Sequence, residues 1–332
     1  MPYKVIDVLA RIGISVSTDL INLAICSLSA KSQNALQDLG RSLLALYAYD
    51  NFDVNLKSEV PSVEKLTESL KHLTSGLLFP LVHGVTVEDL KCSDELWRKS
   101  QLNPQASELH LPPNLKLTWR NLVNLHPYPV LDIASLTQHD KFNVWMFLQD
   151  LCMHSPEYFH QFRSCISEPE PVDQIPATKT LIFAAQAMDI NNSTVSGNIQ
   201  AVKELLEQGG IADPFAQSDM ETDSPDILQS VVLVHGDLGM GKRLQTAQLQ
   251  RSIKSTPWNH MQHIIFILGL FHLKMACVDA LWCCFLHPPA AHGDETSLMR
   301  DVAQLHPRET GIFVTKPNFH WMHQLIGYAG IC

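Results

Sequence analysis

The sequence predicts an α/β protein built on a buried, largely parallel sheet, and three observations carry that reading. After residue 230 the chain alternates strand and helix: "SVVLVHG" runs to Asp237, "GKRLQTAQLQRSIKS" follows, "HIIFILGLF" ends at His272, and "LKMACVDALWCCFL" follows that. Near-continuous apolar strands separated by helices belong in a sheet covered on its faces. Earlier, "LLALYAYDNFDVN" brings aromatic and β-compatible residues up to two acids and reads as a strand ending at Asp50. With 332 residues, 45% of them apolar, the chain can fill a sizeable core.

The elements follow in order. "KVIDVLARIG", the turn "ISVS" and "TDLINLAICSLSAKSQNALQDLGRSLLAL" place apolar residues three and four apart, so residues 4–47 open as a helical hairpin, with Ser17 or Thr18 as the second N-cap. "HLTSGLLFPLVHG" supplies one or two strands, "TVEDLKCSDELWRKS" is helical, and the prolines between 101 and 118 mark a loop. "HDKFNVWMFLQDLCMHSPEYFHQF" reads as a strongly amphipathic helix, followed by the acidic, Pro-rich linker "SEPEPVDQIPATK". "NNSTVSGNIQAVKELLEQGG" is a capped helix stopped by Gly209-Gly210, and the polar loop "ADPFAQSDMETDSPD" leads back to the sheet.

Charge narrows the function. The net charge is -10, and no Lys/Arg run lays a positive stripe for a phosphate backbone. The helical hairpin could be a DNA-reading helix-turn-helix, but its second helix lacks the basic residues that reading needs. Eight cysteines without a Cys-x-x-Cys pair read as reduced thiols of a soluble intracellular protein. No signal peptide, nuclear localisation signal or apolar run of membrane-spanning length is present, so no membrane partner is expected; no motif encodes an oligomeric state.

"VVLVHGDLGMGKR" imitates a nucleotide-binding loop from Gly236 to Lys242. Arg243 then stands where a hydroxyl should hold magnesium, and Asp237 would repel the phosphates the loop is meant to cradle. No nucleotide is expected.

The acids offer a different chemistry. Asp50 and Asp237, read as ending neighbouring strands, form a carboxylate pair that is stable in its ionised form when a divalent cation lies between. Magnesium or manganese held in this way leaves room for phosphate oxygens, and paired ions serve phosphodiester cleavage. The bland alternative is that Asp237 simply caps the helix that follows.

Long phrases carry a resemblance. "YAYDNFDVNLKSEVPSVEKLTESLKHLTSGLLFPLVHGVTVEDLKCSDELWRKSQLNP", "AMDINNSTVSGNIQAVKELLEQGGIADP" and "VLVHGDLGMGKRLQTAQLQRSIKSTPWNHMQHIIFILGLFHLKMACVDALW" resemble a mostly basidiomycete fungal family known as domain of unknown function 6589. More distantly, the arrangement is similar to the RNase H-like core of Mutator-type DDE transposases. That resemblance implies a first catalytic Asp on a first strand, a second Asp ending a later strand before a helix, and a Cys-x-x-His near the next strand end. Asp50 and Asp237 take the first two roles, and His272 matches the histidine, with Leu268-Gly269-Leu270-Phe271 supplying no cysteine before it. Relatives commonly read Gly-Thr-Gly-Glu where this chain has Gly239-Met240-Gly241-Lys242, which makes Lys242 a variable residue. Glu295 and Glu309 are the candidates for the third acid, and Asp53 supports the first. The ending "NFHWMHQLIGYAGIC" reads as an unfinished helix, so the expected third acid can also lie beyond Cys332 in a longer protein.

Other constellations have plainer readings. His272 is a metal ligand, a general acid or a hydrogen-bonded structural residue. Cys277, Cys283 and Cys284 near His287 suggest zinc less than a buried helix face. His320 and His323 lack the acid of a hydrolytic zinc motif, and Trp258 and Trp282 read as core. The expected layout is therefore a helical region at 1–42, an RNase H-like mixed sheet at 43–84 and 229–287, a large mainly helical insertion at 85–228, and a helical segment at 288–332. The expected function is a transposase-derived core, ancestrally cleaving or joining DNA with Mg or Mn, against a catalytically inactive relic or domesticated binding protein.

Overall fold

In chain order the elements are α1 (Tyr3–Arg11), α2 (Thr18–Arg41), β1 (Ala45–Asn55), β2 (Leu70–Pro80), α3 (Ser93–Arg98), α4 (Gln138–His154), α5 (Glu157–His160), β3 (Phe183–Ala184), α6 (Val195–Gln208), β4 (Val232–Gly236), α7 (Leu238–Arg251), α8 (Pro257–His260), β5 (Ile264–Leu268), α9 (Leu270–Leu281) and α10 (Phe319–Ala329). The computed structural model describes residues 3–55, 70–105, 136–169, 175–215, 225, 227–286, 293–295 and 318–329. Glu309, His287 and Cys332 lie outside the described residues. The chain divides into two units, residues 1–113 with 177–269, and residues 114–176 with 270–332.

The first unit is organised by a five-stranded mixed sheet in the order β3-β2-β1-β4-β5. β1 and β2 pair antiparallel along their full length, from Ala45 opposite Pro80 to Asn55 opposite Leu70. β4 runs parallel to both β1 and β5. Alternation decides which residues enter the core: Tyr47 and Tyr49 of β1, Leu78 of β2, Val232 and Val234 of β4 and Ile264 of β5 are buried together. Leu36 of α2, Ala201, Val202, Leu205 and Leu206 of α6, and Met240, Leu244 and Ala247 of α7 cover that face. Their three- and four-residue spacing is the apolar stripe of a helix packed on a sheet.

The helix boundaries follow from local chemistry. Ser17 caps α2, its side chain accepting from Leu20 N–H, and Thr194 caps α6 by accepting from Gly197 N–H. Gly209 closes α6, and Gly210 takes φ +78, a left-handed conformation that glycine adopts without a Cβ penalty. Gly40 of α2 meets the carbonyl of Gly209 so closely that a Cβ there would lie 2.1 Å from its oxygen. The two helix ends can meet only because the first is glycine.

The strand expected to end at Asp50 continues to Asn55. Its pairing with β4 stops at Ala48, and the rest forms a two-stranded ribbon with β2. The continuation was hard to see because "NFDVN" carries one acid and two asparagines that count against a strand until β2 provides a partner for every residue. β3 and α6, read above as part of a helical insertion, belong to the sheet unit.

In the second unit, Val278, Trp282 and Leu286 pack with Met322 and Leu325 of α10. A π-helical segment at Trp282–Leu286 follows α9. Cys277, Cys283 and Cys284 are exposed, which corrects the expected buried cysteine face: the buried stripe is Val278, Trp282 and Leu286, at four-residue steps. α4 also departs from expectation. Phe142, Val144, Met146, Phe147 and Leu148 are exposed and only Cys152 is buried, so its apolar residues are spread around the helix instead of forming one face. Among the described residues, no helix is long and apolar enough to cross a membrane.

Candidate functional site

The site is assembled where β1 leaves its parallel partner. Ala48 stands opposite His235 in the last pair of the β1–β4 ladder. Asp50 and Asp237 each lie two residues beyond that last pair, Asp237 past the end of β4 with its backbone still extended at φ -78 and ψ 166. Both acids therefore follow the end of the same parallel pairing, at the carboxyl end of β4. That edge is where α/β sheets gather their chemistry.

The carboxylates are held differently. Asp50 is exposed and its Oδ1 accepts from the next N–H, that of Asn51, at 2.8 Å. Asp237 is half-buried and its Oδ1 accepts from Met240 N–H at 2.5 Å, capping α7. Each bond engages one oxygen. Two hard carboxylate donors with oxygen capacity remaining suit magnesium or manganese better than a soft metal.

Around Asp237 the sheet edge is polar. The phenol of Tyr49 donates to Asn198 Oδ1 at 2.9 Å, and the Asn198 amide donates to the carbonyls of Asn192 and Thr194. Burial holds the Tyr49 phenol well above its ordinary range, the Arg243 guanidinium lowers it, and the Asp237 carboxylate raises it further. Arg243 and Asp237 flank Gly239: a Cβ at that position would stand 3.4 Å from a guanidinium nitrogen and 3.5 Å from Asp237 Oδ1. Arg243 Nε is buried without a hydrogen-bond partner. Asn51 donates to Ser193 Oγ at 3.0 Å, tying β1 to the loop before α6. Tyr49, Asn51 and Asn198 were not singled out from sequence, and Arg243 was noted only as the residue that breaks the nucleotide-loop match; the spacing of Thr194 and Asn198, one helical turn apart, gave a local hint.

The apparent phosphate loop has another explanation. From Leu238 onward the segment is helix, so Gly239 and Gly241 are helical positions and no loop is left to wrap phosphates. Gly241 lets α7 approach the sheet, since a Cβ there would lie 2.3 Å from the Phe266 ring. Gly236 does the same for Met240, whose methyl would be 1.8 Å away. Lys242 is exposed. Helix-on-sheet packing, not phosphate contact, accounts for these glycines.

The remaining candidates are placed as follows. Asp53 is three residues beyond Asp50, which puts it on the opposite face of the ribbon, and it pairs with cross-strand His72 at 2.7 Å. His272 does not end β5: the strand stops at Leu268 and His272 sits in the first turn of α9, against the Phe271 ring. The strand is shorter than "HIIFILGLF" suggested because Gly269 breaks it and α9 starts at once. Glu295 is an exposed residue of the second unit. Among the described residues, no group of three or more His, Cys, Asp or Glu is placed to hold a metal ion.

The family of unknown function (DUF6589) matches residues 116–331, about two thirds of the chain. The span contains β4, Asp237, His272 and Glu295, while Asp50 precedes it. No curated protein and no solved structure matches the chain.

Proposed function

The chain belongs to the family of unknown function DUF6589, and on that premise we propose that its sheet is an RNase H-like core whose Asp50 and Asp237 bind Mg or Mn for phosphodiester cleavage or strand transfer on DNA. One observation supports the reading: Asp50 and Asp237 each follow by two residues Ala48–His235, the last pair of the parallel β1–β4 ladder, at the carboxyl end of β4. The mixed sheet, with one acid on its first strand and another between a later strand and its helix, agrees with the arrangement of the Mutator-type cores described above.

The residues divide the work. Asp50 and Asp237 would each give one carboxylate oxygen to the ion, and Asp237 keeps its other oxygen on the α7 cap, which fixes the direction of its side chain. A bound divalent ion supplies Lewis-acid polarisation of the phosphodiester and activation of the attacking water or hydroxyl. Arg243 provides positive charge beside Asp237 in a chain of net charge -10, favouring an anionic substrate at this edge.

The second reading is a catalytically inactive relic that retains the fold as a binding or structural protein. The observation favouring it is that Asp237 already has a structural task as a cap, with no third acid grouped beside it among the described residues. A nicking assay on supercoiled and single-stranded DNA at low salt, with Mg or Mn, separates the two. Metal-dependent cleavage lost in Asp237→Asn supports the first reading. Absence of cleavage together with undiminished metal binding in Asp237→Asn supports the second.

A further inference from the structure

The N-terminal hairpin exposes an apolar surface that the rest of the described chain does not cover. Val8 of α1 and Ile12, the residue just after it, are one helical turn apart, and the turn that follows presents Ile14, 70% exposed. On α2, Ile25 and Leu28 continue the stripe that ends in Leu36 and Leu39: the C-terminal part packs into the core, and the N-terminal part stands in solvent with Leu28 67% exposed. Leu23, 65% exposed, adds a second apolar side to the same half of α2. A helix apolar on more than one side wants more than one neighbour.

The size and charge of this surface fit a second copy of the chain. Val8, Ile12, Ile14, Leu23, Ile25 and Leu28, spread over more than one side of the hairpin, together expose on the order of 700 Å² per copy, against the roughly 300–600 Å² of the largest patch on a typical monomer. Two copies meeting here would bury up to about 1,400 Å², within the roughly 1,200–2,000 Å² of a stable interface. Residues 1–32 contain Lys4, Arg11 and Lys31 against Asp7 and Asp19, a net charge of 3 - 2 = +1, which leaves the remainder at -11. The hairpin is therefore the part of the chain that two copies can bring together without the repulsion the rest would impose. A DNA duplex is disfavoured because α2 balances Lys31 and Arg41 against Asp19 and Asp38. A membrane surface is disfavoured because residues 1–32 contain no Trp or Phe and few cations.

We propose that the α1–α2 hairpin is a homodimerisation element, docking on the hairpin of a second copy in a two-fold, four-helix arrangement. Sedimentation equilibrium of the full chain tests it. The wild type is expected to be dimeric at roughly 100 μM, where a complex of micromolar Kd is saturated. The double variant Ile25→Asp, Leu28→Asp is expected to raise Kd at least tenfold while its far-UV circular dichroism and thermal midpoint as a dilute monomer match the wild type. Ile253→Asp, at an 82% exposed position after α7, serves as the surface control and leaves Kd unchanged. A wild type monomeric at that concentration overturns the proposal. So does a double variant that associates like the wild type. If that variant misfolds, Val8→Asp on α1 makes the same comparison.

Discussion

Asp50 and Asp237 each lie two residues past Ala48–His235, the last β1–β4 pair, yet only Asp237 holds a helix, through its 2.5 Å bond to Met240 N–H. Its two tasks can be separated by substitution. Asparagine caps about as well as aspartate but carries no charge. Asp237→Asn should leave the denaturation midpoint nearly unchanged, whereas Asp237→Ala should lose about 1 kcal/mol in urea titrations. Equal stability of the Asn and Ala variants would remove the cap from the account.

Two buried tyrosines of β1 make opposite predictions. Tyr49 donates to Asn198, so Tyr49→Phe strands a buried amide oxygen and should destabilise by about 1–3 kcal/mol. The Tyr47 hydroxyl is buried without a partner, so Tyr47→Phe should be neutral or stabilising. Chemical denaturation of both variants checks the contrast, and equal losses would contradict the hydrogen-bond assignments.

The glycines of α7 give a third test. Gly241→Ala improves helix propensity by about 1 kcal/mol, but its Cβ would meet the Phe266 ring at 2.3 Å. Overpacking of this kind costs about 1–3 kcal/mol, so the variant should be less stable than the wild type. A more stable variant would show that α7 can move off β5 freely.

His263 predicts a pH dependence. It is buried against Trp258, ring centroids 4.8 Å apart and planes 9° from parallel, and burial lowers its pKa from 6.5 to about 4. Between those values the unfolded chain binds the proton and the native chain does not. The contribution is therefore fully present above the unfolded pKa near 6.5 and is lost as pH falls toward 4. The loss is on the order of 3 kcal/mol. Urea denaturation from pH 7 to 4, followed by Trp fluorescence, should show this slope, and His263→Phe should flatten it while keeping the stacked ring.

Some of this was legible in the sequence and some was not. The capped helix at 195–208 and the strand into Asp237 were readable because cap, apolar period and terminal glycine agree locally. The length of β1 was not, since Asn51 to Asn55 become a strand only through pairing with β2. Exposure of Cys277, Cys283 and Cys284 depends on which stripe of α9 and its π-helical extension faces Met322 and Leu325, and composition cannot choose among apolar stripes. The placement of Asp50 and Asp237 just past one end of the parallel pairing needs the β1–β4 register, a contact between segments 187 residues apart. Tyr49, Asn198 and Arg243 become neighbours for the same reason.

The most direct measurement of the central claim is Mn²⁺ binding, by calorimetry and electron paramagnetic resonance, to the wild type, Asp50→Asn and Asp237→Asn. A shared carboxylate site predicts one Mg²⁺-displaceable site in the wild type, weakened at least tenfold in each variant, while the preserved cap keeps Asp237→Asn folded. Equal Mn²⁺ affinity in all three proteins would contradict it.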